Sequence, residues 1–318
     1  MAKKSESRAQ NLSKVAWVIP THPPKYADYR KHLRLSRLFV QDIQHVCVLT
    51  YRDEAKSFLR GSIFRPDHII VLEDHFSREV ISLFLTTRSI INVKKLLAVK
   101  LLQHDFSHII VSDSEVQVFR HLHSADIVHR EAVFPFHKVD NPRCLEIIAA
   151  PVDLLVDTSE KDFIRKNFVQ PGLYGWFSDL PIYTSAHLEG FWPRFGLERL
   201  EDFSRINFDT FDFILFQYHM ALEARNSDKK CWFVYEWDFP SSGGSCWEMG
   251  YISDTGIDYL RQDGIIRRPL WISHRKLVHE VQSAKIIFNS DRDFLPSRKE
   301  REYWRSSRFN RLLSHLKI

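Results

Sequence analysis

Short apolar runs alternate with helix-like segments in the first half of the chain, and this alternation constrains the fold more than any other feature. The runs are rich in β-branched residues, which favour buried strands; they are 15–20, 45–50, 68–72 and 107–111. Between them, 26–39 and 89–103 have the apolar spacing of amphipathic helices. Strands that alternate with helices form a mostly parallel sheet with helices on both faces. The sequence therefore predicts an α/β fold.

The second half of the chain is less regular. Residues 211–222 predict a buried helix, and 231–237 and 269–273 predict further strands. The region 168–195 is rich in aromatic residues, glycine and proline, as loops and substrate-facing surfaces often are. No internal repeat or long low-complexity segment is present among the 318 residues. We predict one compact domain with two functional halves.

The positive charge of the chain is concentrated near its C-terminal end. Residues 297–318 contain seven Lys or Arg and two Glu, a balance of +5 that equals the net charge of the whole chain. The rest of the chain is therefore close to neutral, which argues against a nucleic-acid-binding face. The arginines alternate with Trp304 and three leucines, which predicts a basic amphipathic helix. Such a helix either lies on an anionic membrane surface or packs on the domain with a solvated basic face.

The sequence predicts a protein that stays in the compartment where it is made. No stretch approaches the roughly 18 to 20 apolar residues that a membrane span needs, and the first residues are too polar for a signal peptide. The four cysteines are scattered without a CxxC pair, which argues against a disulfide framework or a zinc site. We expect a cytoplasmic protein, either dissolved or held at the inner face of the cytoplasmic membrane through 297–318.

An acidic pair directly follows the fourth apolar run. Ligands of parallel sheets gather beyond the carboxyl ends of the strands, and this position holds Ser112, Asp113, Ser114 and Glu115. Two carboxylates close together at the end of a buried strand repel each other, and a hard divalent cation would relieve that repulsion. The sequence predicts Mn²⁺ or Mg²⁺ at Asp113 and Glu115; the alternative is an ordinary helix cap or solvated turn.

The order of elements, together with residues 20–21, 94–95 and 111–115, resembles the GT-A glycosyltransferases. Residues 113–115 stand where that family carries its DxD motif, with Glu115 in place of the second Asp. The resemblance covers residues 14–160. It implies a Rossmann-like GT-A domain with a nucleotide-sugar-binding half (14–160), an acceptor-binding half (161–290) and a basic C-terminal helix (297–318).

The resemblance also implies roles for individual residues near the donor. Thr21 and Tyr51 would lie near the nucleoside, Lys95 would reach a donor phosphate as a point charge, and His274 would be a third metal ligand. Tyr51 would stack on the base; alternatively, it is an ordinary aromatic residue at a strand end. The alternative for Lys94 and Lys95 is a solvated helix face.

An inverting glycosyltransferase needs a carboxylate that deprotonates the acceptor hydroxyl. The candidates in the second half are Asp179, Glu189, Asp209 and Asp212. Asp179 follows an aromatic segment suited to a sugar face and is slightly favoured, although each candidate has an alternative role in a loop or cap. A retaining mechanism is left open.

From these features we predict a metal-dependent enzyme that moves a sugar from a nucleotide-sugar donor to a saccharide or lipid-linked acceptor in bacterial surface polysaccharide or lipopolysaccharide synthesis. A sugar nucleotidylyltransferase is the first alternative, but residues 21–25 lack the glycine-rich loop of those enzymes. A non-enzymatic partner or nucleic-acid binder that uses the basic tail is the second. P-loop, GxGxxG and GxSxG motifs are absent.

Overall fold

The computed structural model describes residues 14–60, 63–114, 116–118, 121–125, 134–135, 137–138, 142–174, 182–226, 233–234, 265–268 and 286–289. In chain order its strands are β1 (Val15–Pro20), β2 (Val40–Gln41), β3 (Ile43–Leu49), β4 (His68–Val71), β5 (His108–Val111), β6 (Val116–Val118), β7 (Leu122–His123), β8 (Phe134–Pro135), β9 (His137–Lys138), β10 (Leu173–Tyr174), β11 (Ile182–Thr184), β12 (Phe233–Val234), β13 (Ile265–Arg268) and β14 (Ile286–Asn289). The α-helices are α1 (Tyr26–Phe39), α2 (Arg52–Leu59), α3 (Arg78–Thr86), α4 (Ile90–Leu102), α5 (Pro142–Ala149), α6 (Thr158–Ile164), α7 (Ser185–Arg194) and α8 (Asp212–Asn226).

A five-stranded sheet in the order β11-β5-β1-β3-β4 forms the centre of the described fold. β1 pairs in parallel with both β3 and β5, and β4 extends the sheet in parallel beside β3. β11 closes the other edge and is antiparallel to β5. The small sheets β13-β14-β6, β2-β7, β10-β9 and β12-β8 complete the described strands. The predicted α/β class, with a mostly parallel sheet flanked by helices, is confirmed.

The four apolar runs of the sequence are the four parallel strands of this sheet. The predicted helices at 26–39, 89–103 and 211–222 correspond to α1, α4 and α8. Within the predicted strand 231–237 the structure describes β12, whereas 269–273 and the basic segment 297–318 lie outside the described residues. The boundaries of the two predicted halves stay predictions.

The central strands β1, β3 and β5 are buried on both faces because they are apolar at nearly every position. Along β1, Val15, Trp17 and Ile19 pack with α1 and α2 on one face. Ala16 and Val18 belong to the core on the other face, which includes α4 and α8. In the described part of the chain, no helix combines the length and apolar character needed to cross a membrane.

The order in which successive strands join the sheet reverses at β1. The chain runs from β1 outward to β3 and β4, and then returns through α3 and α4 to β5 on the other side of β1. The carboxyl ends of β1 and β5 therefore flank a topological switch point, which is where open α/β sheets bind ligands.

Candidate functional site

The first residues after β1 and β5 are joined to the neighbouring strands by main-chain hydrogen bonds at the carboxyl edge of the sheet. The amide of Thr21 donates to the carbonyl of Val48 over 3.0 Å, and the amide of Ser112 donates to the carbonyl of Val18 over 3.0 Å. The ends of the three central strands are thus fixed relative to one another. A ligand placed between β1 and β5 would meet a pre-organised surface.

Helix α4 brings two lysines to this edge. The helix returns from the carboxyl edge of the sheet toward the start of β5, so its first turns lie beside the switch point. Its sequence is apolar almost all round, and it packs on β1, β3 and β5. Polar side chains in such a helix are buried with it and need partners in the neighbouring elements.

Lys95 connects two carboxylates from distant parts of the chain. Its Nζ lies 3.1 Å from Oδ1 of Asp113 and 3.9 Å from Oδ1 of Asp212. The Lys95 side chain is 13% exposed, whereas the Asp113 side chain is 50% exposed and faces solvent at the end of β5. A solvated helix face, the alternative prediction for both lysines, does not occur here.

Asp212 is the innermost member of this cluster. It is the first residue of α8, and its side chain is 0% exposed. The hydroxyl of Tyr183 in β11 donates to its Oδ2, whereas Oδ1 has no hydrogen-bond partner within the described residues. Burial raises the pKa of the Asp212 carboxyl above its ordinary value of 3.8, although Lys95 opposes the shift.

Asn92 fixes the turn that leads into Asp212. This buried side chain of α4 donates from Nδ2 to the carbonyls of Asn207 over 3.2 Å and Phe208 over 3.0 Å. Asn92 and Lys95 are one turn apart, so they face the same side of the helix. Two side chains of α4 therefore set the position of α8 and its first carboxylate.

Lys94 contacts the other side of the switch point. It is 3% exposed, and its Nζ donates to the carbonyl of Thr21 over 2.7 Å. Burial lowers the pKa of Lys94 to about 8, while the negative charge of Glu54 acts in the opposite direction. Consecutive residues of one helix thus reach the ends of two different strands.

The structure places the remaining predicted donor residues at the same edge. Ser112 is buried and its Oγ accepts a hydrogen bond of 2.8 Å from Nε1 of Trp17. Ser114 is buried as well. Tyr51 is partly buried beside the core and immediately precedes α2. Their predicted contacts with a nucleotide stay predictions.

The predicted metal site is described only at Asp113. Glu115 and His274 lie outside the described residues. Over the described part of the chain, no three His, Cys, Asp or Glu side chains are grouped so that they could hold a metal ion. Asp113 suits a hard cation, because it is a solvent-facing carboxylate at the switch point. The three-ligand set stays a prediction.

Of the three candidate bases that the structure describes, Asp209 and Asp212 lie close together in the chain near the start of α8, and Glu189 lies on α7. Asp212 contacts Lys95, and Asp209 lies in the turn before α8, where its amide donates to Oδ1 of Asn207 over 2.8 Å. Glu189 is exposed on α7, which begins beside Ser107 at the amino end of β5, away from Asp113. Asp179 lies outside the described residues.

Sequence reasoning missed Asn92 and Tyr183 as functional candidates and named Lys94 without giving it a role. Asn92 and Lys94 have a detectable signal, because they interrupt an otherwise apolar helix. Tyr183 has none, since a tyrosine in a short strand is ordinary and its contact with Asp212 depends on the fold.

No family model matches the sequence, and no curated protein matches it. Solved structures resemble the fold at low similarity, and three of them illustrate the range. Mouse xyloside xylosyltransferase 1 is 12% identical with a TM-score of 0.39, over 89% of this chain and 99% of that chain. The mannosyltransferase Ktr4p from S. cerevisiae is 10% identical with a TM-score of 0.34, over 61% of this chain and 62% of that chain. The bifunctional glycosyltransferase WbbM is 9% identical with a TM-score of 0.40, over 87% of this chain and 46% of that chain. All three are glycosyltransferases, but TM-scores below 0.5 are too low to assign a function.

Proposed function

We propose that the protein is a glycosyltransferase that transfers a sugar from a nucleotide-sugar donor to a saccharide or lipid-linked acceptor. The observation that carries the proposal is the position of Lys95. Its ammonium lies between the solvent-facing Asp113 and the buried Asp212 at the switch point of a parallel sheet. A cation fixed beside an open carboxylate at this edge suits the phosphates of a nucleotide donor.

The residues of the cluster have separate roles in this proposal. When the bond between sugar and phosphate breaks, negative charge develops on the leaving phosphate, and Lys95 stabilises it from a fixed position. Asp113, with Glu115 and His274, would hold a divalent cation. Mn²⁺ or Mg²⁺ at that place supplies further positive charge for the leaving group.

The burial of Asp212 favours a role in holding Lys95. A general base must come within hydrogen-bond distance of the acceptor hydroxyl, and the Asp212 side chain is 0% exposed. Its carboxylate is instead directed at the ammonium of Lys95. The identity of the base remains a prediction among Asp179, Glu189 and Asp209.

A panel of nucleotides tests the donor site. We expect one of the UDP-, GDP-, CMP- or dTDP-sugars to raise the melting temperature more strongly with Mn²⁺ than without it. A ligand at about 100 times its Kd adds about 2.7 kcal/mol to the free energy of unfolding. Asp113→Asn should abolish the Mn²⁺-dependent part of this shift. Lys95→Met should weaken nucleotide binding about tenfold or more, because it removes the fixed cation.

Asp153→Asn is the matched control for Asp113→Asn. Asp153 is also an exposed carboxylate in an ion pair, 3.3 Å from Arg165, but it lies on a different part of the chain. The control should bind nucleotide and Mn²⁺ as the parent protein does. A parent protein that responds to no nucleotide, with or without Mn²⁺, would contradict the proposed function.

The acceptor and the place of action are proposed from the sequence alone. If residues 297–318 form a basic helix on an anionic membrane, a lipid-linked precursor of a bacterial surface polysaccharide is a suitable acceptor. The chain should then bind vesicles with anionic lipids at low salt and be released at high salt. Unchanged binding after removal of 297–318 would refute this part of the proposal.

A further inference from the structure

Lys94 is a buried cation, and its described contacts do not compensate for the cost of burying its charge. Its described hydrogen bond goes to a neutral main-chain carbonyl, that of Thr21. The titratable groups that influence it most are Glu54 of α2 and the buried thiol of Cys47 in β3. An ammonium group loses most of its hydration here, and one neutral acceptor does not replace it.

A methionine of similar length would fill this space at a lower cost in free energy. Buried charges that weaken a fold are expected mainly at functional sites. The position of Lys94 fits such a site, since the carbonyl it binds belongs to the residue that follows β1. Lys95, the next residue, reaches the end of β5. The two ammonium groups therefore flank the switch point.

We propose that Lys94 is a positioning residue for the phosphates of the donor nucleotide: it fixes the main chain of Thr21 and adds a buried positive charge beneath the switch point. The inference rests on the proposed function and deepens it. A buried charge is screened less by water and salt than a surface charge. Lys94 therefore attracts a bound diphosphate without touching it, and acts through the loop that Thr21 begins.

Calorimetric titration of the full chain with UDP and with GDP, at pH 7 and pH 9.5, tests the inference. Lys94 loses its charge as the pH rises through about 8, so the parent protein should bind nucleotide several-fold more weakly at pH 9.5. Lys94→Met should bind about tenfold more weakly than the parent at pH 7. It should also lose much of the difference between the two pH values, because no charge remains to be titrated.

Lys100→Met is the matched control. Lys100 also lies on α4, and its Nζ also donates to a main-chain carbonyl, that of Leu197 over 2.9 Å. It lies about 9 Å further along the helix axis, away from the switch point. This variant loses the same type of hydrogen bond but should keep the nucleotide affinity and pH dependence of the parent. If Lys94→Met acted only by disturbing α4, Lys100→Met should weaken binding as well.

Lys94→Gln guards against a folding defect in Lys94→Met. The amide can still donate a hydrogen bond but has no charge, and circular dichroism and the melting temperature report whether each variant is folded. Parent-like affinity and pH dependence in folded Lys94 variants would overturn the inference while leaving the proposed function intact. A parent protein that binds neither UDP nor GDP would overturn the inference. Only a parent that also responds to no nucleotide-sugar of the panel would contradict the proposed function itself.

Discussion

Asp212 combines complete burial with a single described hydrogen bond, to Tyr183. The pKa of the Asp212 carboxyl is raised in the folded protein, so ionising this group costs free energy there. The free energy of unfolding therefore falls as the pH rises above about 4. Asp212→Asn removes this cost and can still accept from Tyr183. We expect the variant to be more stable than the parent at pH 7, with a gain that disappears near pH 3.5.

Urea denaturation at the two pH values measures this gain, and nucleotide binding measures its functional cost. Lys95 loses one of its two carboxylates in Asp212→Asn, so nucleotide binding should weaken even though the protein is more stable. The exposed Asp153→Asn should change neither quantity. A clear loss of stability in Asp212→Asn at pH 7 would show that the pair with Lys95 outweighs the cost of burial.

The C-terminal end of α7 carries a cap that depends on a single glycine. Gly196 has a φ of +57°, its amide donates to Pro193, and the amide of Leu197 donates to Trp192. This is a Schellman motif, which favours glycine at that position. A Cβ on Gly196 would lie only 2.6 Å from Nη1 of Arg205. It would therefore displace a nitrogen that donates hydrogen bonds to the carbonyls of Phe195 and Gly196.

Gly196→Ala should therefore lower the free energy of unfolding by about 1 to 3 kcal/mol, through the left-handed backbone and the displaced arginine. Gly190→Ala is its control on the same helix, since the added Cβ would meet only Cε1 of His219 at an ordinary 3.5 Å. That substitution should stabilise the protein by about 0.5 to 1 kcal/mol. Equal effects of the two substitutions in urea denaturation would refute the assignment of the motif.

Elements with strong patterns were predictable from the sequence, and contacts between distant elements were not. β1, β3, β4 and β5 are continuous apolar runs, so local composition identifies them. The edge strand β11 is short and lies in an aromatic-rich region where no period is visible.

The site likewise contains a residue that the sequence could predict and contacts that it could not. Asp113 follows from its place after a strand, because the carboxyl edge is fixed by the fold class. Its pairing with Lys95, and that of Lys95 with Asp212, depend on the packing of α4 against α8. Lys94 and Lys95 are the same residue type but have different partners. The partner of each depends on the direction in which its side chain leaves the helix, which the sequence alone does not show.

At the scale of the whole described fold, the buried histidines His45 and His219 predict sensitivity to acid. Burial lowers the pKa of both to about 4, with an added contribution from Arg37 at His45 and from Arg194 at His219. They belong to opposite sides of the sheet, in α8 for His219 and in β3 for His45. Because the unfolded chain binds these protons at about 6.5, stability is lost as the pH falls from 6.5 towards 4.

Each histidine accounts for up to about 3 kcal/mol of this loss. His45→Gln should remove roughly half of the pH dependence that the pair causes, as measured by denaturation between pH 7 and pH 4.5. A slope that does not change in His45→Gln would show that this side chain is not the group being titrated.

The adjacent lysines of α4 also determine which changes of chain length the protein tolerates. An α-helix turns by about 100° per residue, so one inserted residue just before Lys94 would rotate both ammonium groups away from Thr21 and Asp113 together. A side-chain substitution breaks one of these contacts, whereas a change in helix register breaks both. In natural variants of this chain, α4 should therefore keep its length between Ile90 and Lys95, while insertions accumulate elsewhere.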